Sequence, residues 1–226
     1  MPVSHSKIYR EGISNISIKD IENAKSLGYA IKLLAIAQRC NNQSDAKNGA
    51  KTCLELRVHP TFVPLEHPLA SVNKEFNAIF LQGDNVGDIM LYGKGAGAKP
   101  TASAIVSDIV SCIKNSNNSG GGGNFNTSIF SSTNSVEVVD NFTSSYYLAL
   151  SVLDKPGALA SITKVFSSCG VSISQLIQKK SSSSTGNAEL VFLTHPAQEF
   201  SFSRAAALIA DIEEVKSIDS LIRVLV

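Results

Sequence analysis

The feature that most constrains the fold of this chain is a low-complexity run at residues 115–135. This run, NSNNSGGGGNFNTSIFSSTNS, contains six Asn, six Ser and four Gly. Such a composition cannot bury enough apolar surface to offset the entropy lost on ordering. We therefore expect a flexible linker over 115–140, which separates an N-terminal block at 1–114 from a C-terminal block at 141–226.

The charge balance excludes one broad class of partners. Twenty Lys and Arg against nineteen Asp and Glu leave a net charge of +1. No broad electric field therefore favours nucleic acid or an anionic membrane, and we expect neither as a partner.

The chain also lacks an apolar stretch of transmembrane length and an apolar segment of signal-peptide type at its start. We expect a cytoplasmic protein, or an organellar one if further residues precede Met1.

The four cysteines show no pattern that predicts a metal site or a disulfide framework. None forms a CxxC pair, and no His lies at ligand spacing from them. We expect no bound metal and reduced thiols at all four positions: Cys40, Cys53, Cys112 and Cys169.

The N-terminal block is predicted to be α+β with a mostly antiparallel sheet. Ser17 and Asp20 have the spacing of a capping box, so a helix should begin near Ile18 and end at Gly28. We expect that helix to turn three apolar residues inward: Ile18, Ile21 and Leu27. The remaining elements are predicted as strands at 29–38, 53–63, 78–81 and 88–92, an antiparallel turn at 83–87, and a helix at 101–114.

The C-terminal block has the order βαββαβ, which is typical of the ferredoxin-like split arrangement. Strands are predicted at 147–153, 171–178, 189–194 and 217–226, helices at 157–169 and 203–212, and a hairpin loop at 181–184. The first strand-to-helix loop contains Pro156, which fixes φ, and Gly157, which allows close backbone approach to a neighbour or a ligand.

A glycine-rich loop, Gly93-Lys94-Gly95-Ala96-Gly97, lies between a predicted strand and a predicted helix. Its backbone can turn sharply, and the helix start that follows favours an anion or an electron-rich group. The spacing is neither GxGxxG nor the Walker motif, and no βαβ nucleotide-binding unit surrounds it. Two interpretations therefore stay open. The loop is a tight turn between sheet and helix, or it contacts a cofactor held mainly by another domain.

These residues resemble the signature of the homoserine dehydrogenases. The matching positions are 77–79, Gly83, Gly87, 93–104 and Asp108, with further likeness upstream at 11–13, 20–21, 27–29, 32–33 and 67–70. The C-terminal block resembles an ACT domain, with Asp154-Lys155-Pro156-Gly157 as its first loop. The resemblance implies part of a mostly antiparallel α/β substrate and dimerisation domain at 1–114, followed by a ferredoxin-like ACT domain.

The resemblance also implies a reaction. The family oxidises L-homoserine to L-aspartate 4-semialdehyde with NAD(P), or runs the reverse in threonine and methionine synthesis. Its proton-donating lysine, four residues after an aspartate, lies upstream of the Glu-Gly-Ile stretch, as does its Rossmann domain. We therefore expect no catalytic residue in this chain. The family approaches the cofactor through the residues that match Gly95, Ala96 and Gly97, with Gly97 the strongest candidate.

The ACT resemblance implies an amino-acid effector near the first loop, at Asp154, Gly157, Ala158 and Leu159. Threonine is the first candidate, followed by isoleucine and methionine, and a homodimer or tetramer is the expected assembly. Two functions stay open at this point. One is the C-terminal portion of a homoserine dehydrogenase that has no turnover by itself. The alternative is a stand-alone amino-acid-sensing protein without catalysis.

Other ionisable residues are weaker candidates for acid–base chemistry. Lys32 is expected to lie along a half-buried strand with its ammonium in water, and Lys94 to lie in the glycine-rich loop. The four histidines are predicted to be surface or turn residues rather than bases: His5, His59, His67 and His195.

Overall fold

The computed structural model describes residues 3–40, 52–117, 136–139, 141–180 and 186–225. Its strands are β1 (Tyr9–Arg10), β2 (Tyr29–Cys40), β3 (Thr52–Pro64), β4 (Phe76–Gly83), β5 (Gly87–Lys94), β6 (Val136–Val138), β7 (Thr143–Leu153), β8 (Ile173–Lys180), β9 (Asn187–Thr194), β10 (Ala197–Gln198) and β11 (Val215–Val224). Its α-helices are α1 (Ile18–Ser26), α2 (Ala98–Asn117), α3 (Ala158–Ser168) and α4 (Glu199–Ala210). Among the described residues, no helix is long and apolar enough to cross a membrane.

The chain separates into two compact units that cut across the blocks expected from the sequence. One unit comprises residues 65–134, and the other combines residues 2–64 with residues 135–226. These units do not test the expected division of the chain into two blocks at a linker, and that division stays a prediction. Both ends of the expected 115–140 linker are regular, because α2 runs to Asn117 and β6 occupies Val136–Val138. Residues 118–135 lie outside the described residues.

The helix α1 begins where the sequence predicts. The Ser17 hydroxyl accepts a hydrogen bond from the Asp20 amide at 3.2 Å, and the Asp20 carboxylate accepts one from the Ser17 amide at 2.8 Å. This reciprocal pair satisfies two backbone donors that a helix start leaves without intrahelical partners. Gly28 has φ +85°, the left-handed conformation that ends a helix. The capping box and the helix end are confirmed.

The expected orientation of α1 is wrong for two of its three apolar residues. Ile18 is 76% exposed and Ile21 is 42% exposed, whereas Leu27 does pack against a buried cluster. The buried side of α1 is mainly polar and consists of Asp20, Asn23 and Ala24. The helix turns this side inward because the facing strands carry hydrogen-bonding partners for it.

The strand β3 carries partners along both of its edges. On one edge, β2 pairs with it antiparallel from Tyr29–Pro64 to Cys40–Cys53. On the other edge three strands follow one another, and all are parallel to β3. They are β6 at positions 52–54, β1 at positions 57–58 and β11 at positions 61–62. This second edge joins the beginning of the chain to its C-terminal block in one sheet, which has nine strands among the described residues.

The C-terminal block has the predicted ferredoxin-like topology. The order β7–α3–β8–β9–α4–β11 gives the spatial strand order β11-β7-β9-β8, and each neighbouring pair is antiparallel. The α+β class and the βαββαβ order are therefore confirmed. Individual boundaries shift by a few residues, since β7 begins at Thr143 rather than 147 and α4 begins at Glu199 rather than 203.

The central strand β7 is buried on both faces. One cluster, which includes Tyr146, Leu148 and Leu150, packs with residues of α3 and α4. The alternate side chains, Tyr147 and Ala149, belong to a second cluster that includes one residue of α1. A strand with both faces covered appears as a continuous apolar run. This explains the run YYLAL at residues 146–150.

Two of the cysteines form a disulfide, which contradicts the expectation of reduced thiols at those positions. Cys40 and Cys53 are direct partners in the β2–β3 register, with their Cα atoms 5.2 Å apart. That separation lies within the range a disulfide requires. Cys112 and Cys169 are free. The sequence offers no sign of this pairing, because the two cysteines are brought together only by strand register.

A buried arginine joins both ends of the chain. Arg223 of β11 donates through Nη2 to Glu199 at 2.6 Å and through Nη1 to Glu11 at 3.0 Å. Its guanidinium also lies 4.3 Å from the centre of the Tyr9 ring. Since the Arg223 side chain is only 5% exposed, the two carboxylates compensate a charge that would otherwise be costly to bury.

His59 is not the surface residue that the sequence predicts. It lies within β3, is 1% exposed and stacks on Phe142. The Pro60 carbonyl can only accept a hydrogen bond, so Nδ1 carries the hydrogen that bridges the 2.9 Å between them. Burial lowers the pKa of His59 to about 4, and the charges of Arg223 and Arg57 act in the same direction. His59 is therefore a neutral core residue near pH 7.

The His59 environment predicts a stability loss on acidification. The folded-state pKa of about 4 lies below the ordinary value of 6.5, so the unfolded chain binds this proton more readily between those pH values. Stability should therefore fall as the pH drops from 6.5 towards 4. We expect wild type to lose about 2 kcal/mol more between pH 7 and 5 than His59→Asn, measured by urea unfolding.

The control for this comparison is His195→Gln, because His195 is exposed. It should keep the pH dependence of the wild type. An identical pH dependence in wild type and His59→Asn would contradict the assignment of His59 as a buried neutral group.

Candidate functional site

The glycine-rich loop joins β5 to α2 within the unit of residues 65–134. The Gly95 amide donates to the Glu75 carbonyl at 2.9 Å, and the Lys94 ammonium pairs with the Glu75 carboxylate at 3.2 Å. Gly97 has φ +121°, and its carbonyl accepts from the Thr101 amide in the first turn of α2. The loop is therefore held at both ends by backbone hydrogen bonds, and its residues are exposed.

Gly95 allows a close approach that no other residue would allow. A Cβ atom built on Gly95 would lie 1.6 Å from Nδ2 of Asn77, far inside van der Waals contact. The Asn77 amide thus rests directly on the loop backbone. Beside it lies a groove of about 270 Å³ lined by Asn77, Ala78, Ile79, Leu91, Tyr92, Gly93, Lys94 and Gly95. This arrangement leaves bare backbone next to a groove with aliphatic and aromatic walls.

The helix α2 begins three residues earlier than the sequence predicts. It starts at Ala98, so Pro100 lies in its first turn rather than before it. A proline is tolerated there because the first-turn amides have no intrahelical acceptor. The earlier start brings the free amides of a helix N-terminus immediately after Gly97. Such amides favour an electron-rich group.

The second candidate site is the loop between β7 and α3. Asp154, Lys155, Pro156 and Gly157 are exposed, and Gly157 precedes α3 with φ +98°. The Asp154 amide donates to the Gly186 carbonyl at 2.9 Å, which ties the start of the loop to the residue immediately before the strand β9. Two of the predicted effector residues face the core instead. Ala158 is buried, and Leu159 packs against the cluster beneath α3.

The two lysines considered from the sequence lie in different elements. Lys32 lies on β2, where burial lowers its pKa, and Lys94 pairs with Glu75. Within the described ranges, no group of three or more His, Cys, Asp or Glu side chains could hold a metal ion. The glycine-rich loop and the 154–159 loop belong to different compact units, and each is a separate candidate site.

Sequence reasoning missed two asparagines. Asn77 belongs to the signature quoted above, but its contact with Gly95 follows only from the β4–β5 register, which pairs Asn77 with Gly93. Asn23 is buried at the contact of α1 with the sheet. The spacing of Asp20 and Asn23, three residues apart on one helix face, is the only sequence signal that could have identified it.

The fold and the loops define a class of protein. It is an α+β protein with a glycine-rich strand–loop–helix segment and an appended ferredoxin-like module. Comparison with known proteins narrows this class, because residues 1–110 match the family model described as homoserine dehydrogenase. Together with the relatives below, this match shows that the chain belongs to the homoserine dehydrogenase family, as its C-terminal part.

Relatives of known sequence and structure agree with this assignment. The homoserine dehydrogenase of Corynebacterium glutamicum is 40% identical over 98% of this chain and 47% of its own length. That of Bacillus subtilis is 36% identical over 99% of this chain and 49% of its own length. A crystal structure of a homoserine dehydrogenase from Thiobacillus denitrificans superposes with a TM-score of 0.80 at 32% identity, over all of this chain and 49% of that one. The chain thus spans about half the length of the relatives it matches.

The loop geometry predicts unequal tolerance of its glycines to substitution. Gly97→Ala should force a side chain into the left-handed region at φ +121°. We expect amides 101–106 at the start of α2 to exchange with deuterium about tenfold faster in this variant. Gly93→Ala is the matched control, because a Cβ there meets nothing within 4 Å. Equal exchange rates in the two variants would contradict a conformational role for Gly97.

Proposed function

We propose that this chain is the C-terminal portion of a homoserine dehydrogenase that interconverts L-homoserine and L-aspartate 4-semialdehyde with NAD(P). The reaction serves threonine, methionine and isoleucine synthesis. The observation that carries this proposal is the glycine-rich loop beside an open groove, inside a segment that matches the family. The proposed cellular location is the cytoplasm.

The loop suits the reactive end of a dinucleotide. NAD(P), when bound, accepts or supplies the hydride. Gly95, Ala96 and Gly97 are the residues of this chain that would face it. Gly95 carries no side chain, and Asn77 lies against one side of its backbone. The other side of the loop would present backbone atoms, without side chains, to a flat ring. The following helix N-terminus favours an electron-rich group at that surface.

The proposed reaction needs groups from beyond this chain. Protonation of the developing alkoxide requires a positioned acid. Neither substitute considered from the sequence is favoured for that role, since Lys94 is paired with Glu75 and Lys32 lies on the long strand β2 rather than in the glycine-rich loop. The relatives are about twice as long as this chain. We therefore propose that the catalytic lysine and the dinucleotide-binding domain belong to the remaining half.

Exposed apolar surface supports assembly with another polypeptide, and we propose a homodimer or tetramer. On one face of the β4–β5 hairpin, Ile79 pairs with Leu91 and Leu81 pairs with Ile89. All four side chains are exposed in the chain as described. An isolated two-stranded hairpin is at best marginally stable in water, so this face favours a covering partner.

If the catalytic lysine and the dinucleotide-binding domain belong to the other half of the protein, the isolated chain should show no turnover. Purified chain mixed with L-homoserine and NADP⁺ or NAD⁺ should produce no reduced cofactor above an enzyme-free blank, measured by absorbance. A full-length bacterial homoserine dehydrogenase under the same conditions is the positive control. Turnover that scales with chain concentration would show that an acid and a dinucleotide site are present here after all.

A second candidate function is amino-acid sensing by the C-terminal block. The ferredoxin-like topology and the exposed 154–157 loop at the start of α3 favour it. An amino-acid ligand has a carboxylate, which suits a helix N-terminus, and an ammonium group, which suits the Asp154 carboxylate. We propose threonine as the effector, with isoleucine and methionine next. The same function would serve either an enzyme half or a stand-alone sensor.

The sensing function predicts a measurable affinity that depends on Asp154. Calorimetric titration of the chain with L-threonine should give heat, and Asp154→Asn should weaken binding about tenfold or more through loss of a charge-assisted hydrogen bond. Asp211→Asn is the matched control, because Asp211 is exposed at the end of α4. The absence of heat with threonine, isoleucine and methionine would remove the sensing function.

A further inference from the structure

The contact between α1 and the sheet is unusual because it is polar and buried. Asp20 and Asn23 are 2% and 3% exposed, while the isoleucines of the same helix face outward. Buried polar side chains are tolerated only when their hydrogen bonds are satisfied. The bonds therefore help determine how α1 docks, alongside the apolar contacts of Ala24 and Leu27, since apolar contacts alone would have turned Ile18 and Ile21 inward.

Asn23 is bonded to three different strands. Its Nδ2 donates to the Tyr147 hydroxyl of β7 at 2.9 Å and to the Glu189 carboxylate of β9 at 3.1 Å. Its Oδ1 accepts from the Lys179 ammonium of β8. An amide has two donor hydrogens and one acceptor oxygen, and all three groups are engaged here. The position of α1 is thus defined relative to three neighbouring strands through one side chain.

Tyr147 adds a second link between the helix and β7. Its hydroxyl donates to the Asp20 carboxylate at 3.1 Å while it accepts from Asn23. Burial raises the pKa of Tyr147 well above its ordinary value, so the hydroxyl keeps its proton and the network keeps its donor. A network in which every member is satisfied has one preferred geometry, and a small strand displacement costs several bonds together.

The same strands continue to the loop proposed to bind the effector. The Asp154 amide is bonded to the carbonyl of Gly186, which immediately precedes β9, and Glu189 is the third residue of that strand. Glu189 is also the direct cross-strand partner of Lys179. At about 3.3 Å per residue, the three residues from Gly186 to Glu189 span at most about 10 Å, so the loop contact and the Asn23 contact lie close along the chain. A displacement of β9 at the loop therefore changes the bonds to Asn23.

We propose that Asn23 is the positioning residue through which amino-acid binding at residues 154–157 is transmitted to α1 and the strand that follows it. The helix leads through Gly28 directly into β2, which pairs with β3 over its whole length. Ordering the loop would hold β9 in register, tighten the three bonds of Asn23 and reduce the opening of α1. This inference rests on the proposed effector function of the C-terminal block.

Hydrogen–deuterium exchange of the 226-residue chain tests the transmission. Calorimetry first identifies which of L-threonine, L-isoleucine and L-methionine binds, and that amino acid is used at saturation. In wild type, amides of Ile18–Ser26 should exchange at least about fivefold more slowly with the amino acid present. In Asn23→Ala, calorimetry should still detect binding within about threefold of wild type. The slowing in α1 should be lost.

Two further variants complete the design. Lys25→Ala, an exposed change on the same helix, should keep the full response. Lys179→Met removes one of the three bonds to Asn23. It should reduce the logarithm of the fold slowing of exchange in α1 to half of the wild-type value or less. It replaces Asn23→Ala if circular dichroism shows that Asn23→Ala does not fold. A slowing of exchange that survives in the folded Asn23 variant, or in full in Lys179→Met, overturns the inference.

The outcomes separate this inference from the function on which it rests. If none of the three amino acids produces heat, the effector function fails and the transmission fails with it. If one of them binds wild type but exchange in α1 does not change, only the role of Asn23 is overturned. Binding together with slowed exchange that depends on Asn23 supports both.

Discussion

The second edge of β3 is the constraint on which the larger unit depends. A strand has two edges, and β2 occupies the whole of one. The other is divided among β6, β1 and β11, which come from three distant parts of the sequence. Each of these strands offers only two or three paired residues to β3, and β1 and β6 are themselves too short to hold their places by backbone hydrogen bonds alone. Side-chain contacts supply the remaining stabilisation of this unit. They include the bonds of Arg223 to Glu11 and Glu199 and the hydrogen bonds on the polar face of α1.

Local chemistry explains which parts of this fold could be predicted from the sequence. The cap at Ser17, the glycine that ends α1, the β4–β5 turn and the βαββαβ order all depend on neighbouring residues or on short periodic runs. The strands β1, β6 and β10 were not predicted, since two or three residues carry no periodicity and owe their conformation to distant partners. The same reason applies to the Cys40–Cys53 disulfide. It also applies to α1, whose inward side is set by Tyr147, Lys179 and Glu189 on other strands.

In the candidate sites too, some features depend on neighbouring residues and could be predicted, whereas others depend on distant partners and could not. The glycine-rich loop was found from composition, and its resemblance to a known signature gave the family that the comparisons then showed. Its fit to a ligand depends on Asn77, whose amide meets Gly95 only through strand pairing. His59 shows the converse case. A histidine before a proline suggests a turn, yet β3 continues through both residues to Pro64. Pairing with Leu34 of β2 and ring stacking on Phe142 hold it inside the core.

The bond between Glu11 and Arg223 has a consequence for the order of folding. It joins residues 212 positions apart, so nearly the whole chain is a loop that this contact must close. Closing long loops is entropically costly, and proteins rich in such contacts fold slowly. The ferredoxin-like module and the β2–β3 hairpin can each form from nearer contacts. We therefore expect the two ends of the polypeptide to meet late, on a scaffold that is already in place.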